Sequence, residues 1–105
     1  MISFKEWNKV EIKTGKVKEV EDHPNADKLY VLKVDTGEER TIVTGLKGSY
    51  SKEDLKDKTV VVLCNLEEKE LRGVKSEGMV LAAVDGNEIS LLVPDKEMRE
   101  GSKIE

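Results

Sequence analysis

The only histidine of the chain lies in a short polar segment, DHPNADKL, at residues 22–29. His23, Asn25 and Asp27 carry groups that could ligate a metal ion or exchange protons with a substrate. A transition metal needs two or more nitrogen or sulfur ligands, and no second histidine accompanies His23. No phosphate-binding loop, dinucleotide fingerprint or nucleophile elbow is present either. We therefore predict no metal, no cofactor and no enzymatic activity.

Two interpretations of this segment remain, a plain turn and a binding surface. Pro24 fixes its φ angle at about −65° and Asn25 tolerates left-handed backbone, so a turn is expected on either interpretation. A fixed turn could also present the amide of Asn25 and the ammonium group of Lys28 to an RNA backbone. The residues alone leave both a solvated rim and an RNA-binding corner open.

The composition restricts partner and compartment. The chain has 18 Lys and Arg against 22 Asp and Glu, a net charge of −4, so only a local cluster of cations could bind nucleic acid. No segment approaches the roughly 20 apolar residues of a membrane helix. The single cysteine, Cys64, lies in an apolar segment typical of a core strand. We expect a cytoplasmic protein with a buried thiol and no membrane partner.

The order of predicted elements indicates the fold. Apolar and β-branched segments alternate with turn residues, and the pair Ser51 and Asp54 forms a capping box that predicts one short helix. Three strands, a helix and two strands is the order of the OB-fold, an all-β, five-stranded Greek-key barrel with a short helix between strands 3 and 4. We assign residues 1–105 to a single domain, with a barrel core at 10–85 and a C-terminal strand and tail extension, expected to mediate dimerisation, at 86–105.

The first strand, near residues 10–21, has an irregular pattern. Ile12 and Val17 differ in parity, so both can face one core only if the strand contains a bulge. Gly15 lies between them, and we predict the bulge there.

An OB-fold binds ligands on strands 2 and 3, between the loops that join strands 1–2 and 4–5. The segment around His23 is the first of these loops, and the charged connection EEKELRGVKSEG is the second. Since only 4% of residues are aromatic, we expect recognition of RNA shape and backbone, with one or two exposed bases on Met79. The predicted RNA-binding residues are Asn25, Lys28, Arg40, Arg72, Lys75, Ser76 and Met79.

Two motifs, HPNADKL and LRGVKSEGM, resemble the tRNA-binding domain family, and the likeness extends from about Val10 to Ile104. This family occurs at the C-terminus of methionyl-tRNA synthetases and as free-standing structure-specific tRNA-binding proteins. The resemblance implies non-catalytic, structure-specific binding of tRNA, as an appendage or accessory of methionyl-tRNA synthetase that raises the local tRNA concentration near the catalytic region. It also implies a homodimer.

Other features leave alternatives open. Glu67, Glu68 and Glu70 lie in the second loop and would repel phosphate, so we expect weak, salt-sensitive binding. A homodimerisation or protein-interaction module with weakened RNA binding, or a chaperone-like peptide binder, are the alternative functions. An extra apolar strand, ISLLV, is either a lid within one chain or a dimer contact. The predicted dimer interface consists of Phe4, Trp7, Leu91, Leu92 and Val93.

Overall fold

The computed structural model describes all 105 residues. Both helices are single turns, each begun by a serine N-cap with a complete capping box, as predicted for Ser51. No helix of the protein has the length and apolar character needed to cross a membrane. The elements are α1 (Phe4–Trp7), β1 (Ile12–Asp22), β2 (Tyr30–Asp35), β3 (Glu39–Thr44), α2 (Lys52–Leu55), β4 (Thr59–Leu63), β5 (Lys69–Leu71), β6 (Val74–Ser76), β7 (Met79–Val80), β8 (Ala82–Asp85) and β9 (Glu88–Leu91).

Five antiparallel strands form the main sheet, in the order β3-β2-β1-β4-β7. Its two edges meet between β3 and the segment before β7. The backbone N–H of Glu77 donates to the Thr41 carbonyl at 2.8 Å, and the Val43 N–H donates to Ser76 Oγ at 3.0 Å. These bonds give a nearly closed barrel, and the prediction of an all-β OB-fold with a helix between strands 3 and 4 is confirmed.

The barrel interior is filled by alternate strand residues. Leu32, Val34, Ile42, Val60 and Val62 are each no more than 1% exposed, as the period-two pattern of β2, β3 and β4 requires. The same parity buries Tyr30, as predicted, and the Cys64 thiol is buried as well.

The prediction of a bulge at Gly15 is wrong. The register between β1 and β2 shifts between Val17 and Glu19, three residues further on. A Cβ atom on Gly15 would lie 2.6 Å from Cγ1 of Val34, so this position is a glycine because the opposite strand fills the space. Ile12 is only half-buried, whereas Val17 is fully buried, so the two residues need not share a face.

The tail runs beside the first half of β1. The Gly101 N–H donates to the Thr14 carbonyl at 2.8 Å, and the Ile104 N–H donates to the Ile12 carbonyl at 2.9 Å. The buried Thr14 hydroxyl donates to the Arg99 carbonyl at 2.7 Å. Residues 99–104 therefore complete the wall of their own barrel.

The extra strand predicted from ISLLV is β9, which pairs with β8 in a separate hairpin and ends at Leu91. Leu91 is only 7% exposed and packs in the hydrophobic core. Its inclusion in the predicted dimer interface is therefore inconsistent with its position, because it already contacts its own barrel.

Candidate nucleic-acid interface

His23 has a structural role in the loop between β1 and β2. Its ring is buried, and Nδ1 accepts a hydrogen bond from the Asn25 backbone N–H at 2.9 Å. Because Nδ1 accepts, the proton of the neutral ring is on Nε2, which donates to the Leu71 carbonyl at 2.8 Å. One imidazole thus fixes the turn and binds the loop to a second segment of the chain.

That second segment is a hairpin formed by β5 and β6, residues 69–76, where the sequence predicted only a charged connection. Arg72 and Gly73 form its turn with φ angles of 54° and 90°, the positive values of a two-residue type I′ turn. The side-chain amide of Asn25 donates to the Arg72 carbonyl at 3.1 Å. The β1–β2 loop and the β5–β6 hairpin therefore form one continuous rim.

Most of the predicted RNA-binding side chains project from this rim. Asn25, Lys28, Arg72 and Lys75 are exposed, and Met79 is 44% exposed. Asn25 uses one amide hydrogen on the hairpin and has no other side-chain partner in the chain. The Lys75 ammonium group lies 3.9 Å from Glu68, an exposed pair that water and salt screen.

Arg40 lies apart from this rim. It is four residues along β3 from Thr44, about 13 Å, and Thr44 pairs with Tyr30 beside the β1–β2 loop. Its side chain is 15% exposed, and Nη1 donates to the carbonyls of Cys64 at 2.9 Å and Glu77 at 3.1 Å.

The remaining donors of Arg40 are also engaged. Nε donates to Thr36 Oγ1 at 2.9 Å, and Nη2 forms an ion pair with Glu38 at 2.8 Å. The guanidinium group therefore connects the turn after β2, the end of β4 and the segment before β7, and it has little capacity left for a ligand.

Ser76 is buried at the closure of the barrel. Its hydroxyl accepts from the Val43 N–H at 3.0 Å and donates to the Gly78 carbonyl at 3.1 Å. Like Arg40, Ser76 holds the hairpin and β7 against β3, while direct contact of either residue with RNA stays a prediction.

Lys47 is a cation near the rim that no sequence pattern singled out. It lines a cleft of about 420 Å³ together with Lys28, Ser49 and Asn87. The carboxylate of Asp22 lies between Lys47 at 3.1 Å and Lys52 at 3.2 Å. Hydrogen bonds from Lys47, and next from Lys52, hold the pKa of Asp22 below its usual value.

The predicted dimer residues are mostly on the surface. Phe4, Leu92 and Val93 are exposed and Trp7 is half-buried, whereas Leu91 is in the core. No three His, Cys, Asp or Glu side chains lie close enough together to hold a metal ion.

Known families identify the domain. A family model described as "Putative tRNA binding domain" matches residues 12–103. The chain belongs to the tRNA-binding domain family. The family resemblance noted in the sequence is thereby confirmed, including its link to methionyl-tRNA synthetases.

Individual relatives share the sequence or the fold of this chain. The domain is 56% identical over 104 residues to methionine–tRNA ligase of Pyrococcus furiosus, covering 98% of this chain and 14% of the ligase. The solved structure of a MetRS-related protein from Pyrococcus horikoshii is 34% identical with a TM-score of 0.91, covering 99% of this chain and 97% of that one. The CsaA chaperone protein of Picrophilus torridus is 31% identical with a TM-score of 0.89, covering both chains fully.

Proposed function

We propose that this domain binds tRNA by its folded shape, without catalysing a reaction, and acts as an accessory region of methionyl-tRNA synthetase in the cytoplasm. Holding tRNA beside a synthetase catalytic region would raise its effective concentration there. The observation that carries the proposal is the hydrogen-bonded contact of the β1–β2 loop with the β5–β6 hairpin. It presents amide and cationic groups from two distant parts of the sequence on one rim.

The predicted RNA-binding residues fall into two groups with different tasks. We assign direct RNA contacts to Asn25, Lys28, Arg72, Lys75 and Met79, because their side chains are exposed on the β1–β2 loop, the β5–β6 hairpin and β7. Arg40 and Ser76 act as positioning residues, since the chain itself uses almost all of their hydrogen-bonding capacity.

The charge distribution argues for modest affinity. The net charge is −4; Glu67 and Glu68 are exposed on the approach to the hairpin, and Glu70 is exposed within it. These carboxylates repel phosphate, so only RNA that meets several rim cations at once gains attraction. Binding is therefore expected to favour a folded RNA of suitable shape and to weaken steeply with salt.

Fluorescence anisotropy with labelled bulk tRNA, at low and at physiological salt, tests the proposal. The double variant Lys28→Ala/Arg72→Ala is expected to weaken binding and to reduce the salt slope by about one for each phosphate that is no longer neutralised. The charge-matched control Lys96→Ala/Lys103→Ala, on the C-terminal tail, is expected to bind like the wild type. Absence of tRNA binding at both salt concentrations would refute the proposal.

We also propose a homodimer, with Phe4, Trp7, Leu92 and Val93 at the interface. The dimer is supported by apolar side chains on the surface. Phe4 and Trp7 line a groove with Val10 and Ile104, and the exposed Leu92 and Val93 follow the β8–β9 hairpin. Sedimentation equilibrium of the wild type and of Phe4→Ser measures the oligomeric state. A single species at the monomer mass of 11.8 kDa would contradict the dimer.

A second candidate function is peptide binding of the chaperone type. It is favoured by the likeness to the CsaA chaperone protein, which extends over the whole chain. An unfolded polypeptide that binds tightly and displaces tRNA would support it. Tight self-association without RNA binding would instead support the interaction-module alternative.

A further inference from the structure

A shallow apolar groove lies at the mouth of the barrel, where the end of β3 faces β7, β8 and β9 without pairing to them. Its volume is about 320 Å³, at the lower end of the range of small-molecule sites, about 300–1,000 Å³. Much of its wall is open to solvent, since Met79 is 44% and Val84 68% exposed. The lining residues include Val43, Thr44, Gly45, Met79, Val84 and Ile89.

One polar atom in the wall of this groove lacks a partner. The Oγ1 of Thr44 is buried and forms no hydrogen bond within the chain, the only buried side-chain nitrogen or oxygen in this condition. An unpaired buried hydroxyl has an energetic cost, which a hydrogen-bond partner would remove. A rotation of the Thr44 side chain toward the groove would let a flat ligand with ring nitrogens or an exocyclic group give this hydroxyl a partner.

The apolar groove continues into the basic cleft that contains Lys28 and Lys47, because Gly45 and Ile89 line both. Asp27 is the one carboxylate in that cleft, and the Lys47 ammonium group also contacts Asp22. An apolar slot joined to two ammonium groups matches the chemistry of a nucleotide, whose base is flat and whose phosphate is anionic.

We propose that the apolar groove takes one unstacked nucleobase of the bound RNA and that the basic cleft takes its phosphate. This inference rests on the proposed function, and it assigns the base expected on Met79 to a defined groove and its phosphate to a defined cleft. A single base suffices, because the chain has no row of aromatic side chains on which several bases could stack. The flexible thioether of Met79 contacts the face of the base.

Millimolar titrations of the isotope-labelled domain with adenosine monophosphate and with ribose 5-phosphate separate the two halves of the site. The nucleotide is expected to shift NMR resonances of both the groove and the cleft. Ribose 5-phosphate is expected to shift the cleft alone, since it lacks the base. Equal shifts in the groove from both compounds, or none from the nucleotide, would overturn the base site.

Thr44→Val is the most informative variant, because it removes the unpaired hydroxyl and keeps the shape. It is expected to retain or increase stability and to weaken nucleotide binding several-fold, a combination that a purely structural residue would not give. Thr59→Val, at the start of β4 and outside the groove, is the matched control. Unchanged nucleotide affinity in Thr44→Val would contradict the role of the hydroxyl.

Gly45→Leu instead places a bulky side chain where the groove meets the basic cleft. A Cβ at Gly45 would meet nothing closer than 4.0 Å, so the barrel tolerates a side chain there. We expect tRNA affinity to fall by about tenfold, the scale of one stacked base, while Ala83→Leu on the exposed neighbouring position has no effect. Unchanged tRNA affinity in Gly45→Leu would refute the base site without contradicting the proposal that the domain binds tRNA.

The groove could instead hold a second copy of the chain or a peptide, and the same measurements distinguish these occupants from a nucleobase. If Gly45→Leu converts a dimer to a monomer in sedimentation, the groove is a subunit contact and the inference fails. If an apolar peptide shifts the groove resonances and adenosine monophosphate does not, the groove belongs to a peptide site and the inference fails as well.

Discussion

The contact between His23 and the hairpin gives the sharpest test of how the interface is built. His23→Asn keeps an acceptor near the Nδ1 position for the Asn25 N–H but is too short to reach the Leu71 carbonyl. His23→Gln places an amide N–H near the Nε2 position and can restore that bond. The two variants therefore separate the fixed turn from the attachment of the hairpin.

The expected size follows from the hydrogen bond that His23→Asn removes. Its net contribution is about 1 kcal/mol, rising to about 3 kcal/mol if the Leu71 carbonyl stays desolvated and unpaired. Each 1 kcal/mol corresponds to about a fivefold increase in hairpin opening, and to a shift in Tm of about 4–8 °C if the loss is global. We expect the loss to be local, because the hairpin contributes no residue to the buried core cluster.

Hydrogen exchange of the hairpin amides, read by NMR, measures this directly. In His23→Asn, the amides of residues 69–76 are expected to exchange at least fivefold faster while those of β2 and β4 stay protected, and tRNA affinity is expected to fall. His23→Gln keeps the bond to the Leu71 carbonyl but loses the acceptor for the Asn25 N–H, so its hairpin amides are expected to exchange like those of the wild type. Hairpin exchange in His23→Asn that equals the wild type would show that the histidine does not hold the interface.

Further outcomes follow from Arg40, Asp22 and Gly15. Arg40→Lys lacks the planar fork and is expected to lose about 1–3 kcal/mol in urea melts with little change in the tRNA affinity of folded protein; weaker tRNA binding at unchanged stability would instead indicate direct contact. The pKa of Asp22 is lowered in the folded state, so Asp22→Asn is expected to be less stable than the wild type at pH 7. The difference in the free energy of unfolding between the two proteins is expected to disappear as the pH falls through that pKa. A difference that persists at pH 2 would contradict the stabilising role of the Asp22 carboxylate. Gly15→Ala is expected to lose about 1–3 kcal/mol by overpacking against Val34, whereas Gly48→Ala, which has open space, should melt like the wild type.

Sequence patterns predicted the barrel because its signals are local. The alternation in β2, the apolar run in β4 and the Ser51 capping box each depend on neighbouring residues, and each is present in the structure. The exposed residues of the rim were also predicted, because they lie in the two loops that border the binding face of an OB-fold. The bulge was misplaced because parity alone cannot distinguish a fully buried Ile12 from a half-buried one.

What the sequence did not predict depends on distant partners. The β5–β6 hairpin is short and charged, although the Arg72-Gly73 turn between two three-residue strands was a usable signal. Arg40 looked like a free cation because its partners include main-chain carbonyls far away in the sequence. The Thr44 hydroxyl is notable only for having no partner, which a sequence cannot show.

The pairing of residues 101–104 with Ile12 and Thr14 has a consequence for the order of folding. The opening strand of the barrel keeps an uncovered edge until almost the entire domain has left the ribosome. Ring closure over so long a separation is slow, so the pairing of the tail with β1 is expected to form late in folding. Removing a few residues from that end would be expected to destabilise the β1 side of the barrel, some distance from the RNA rim.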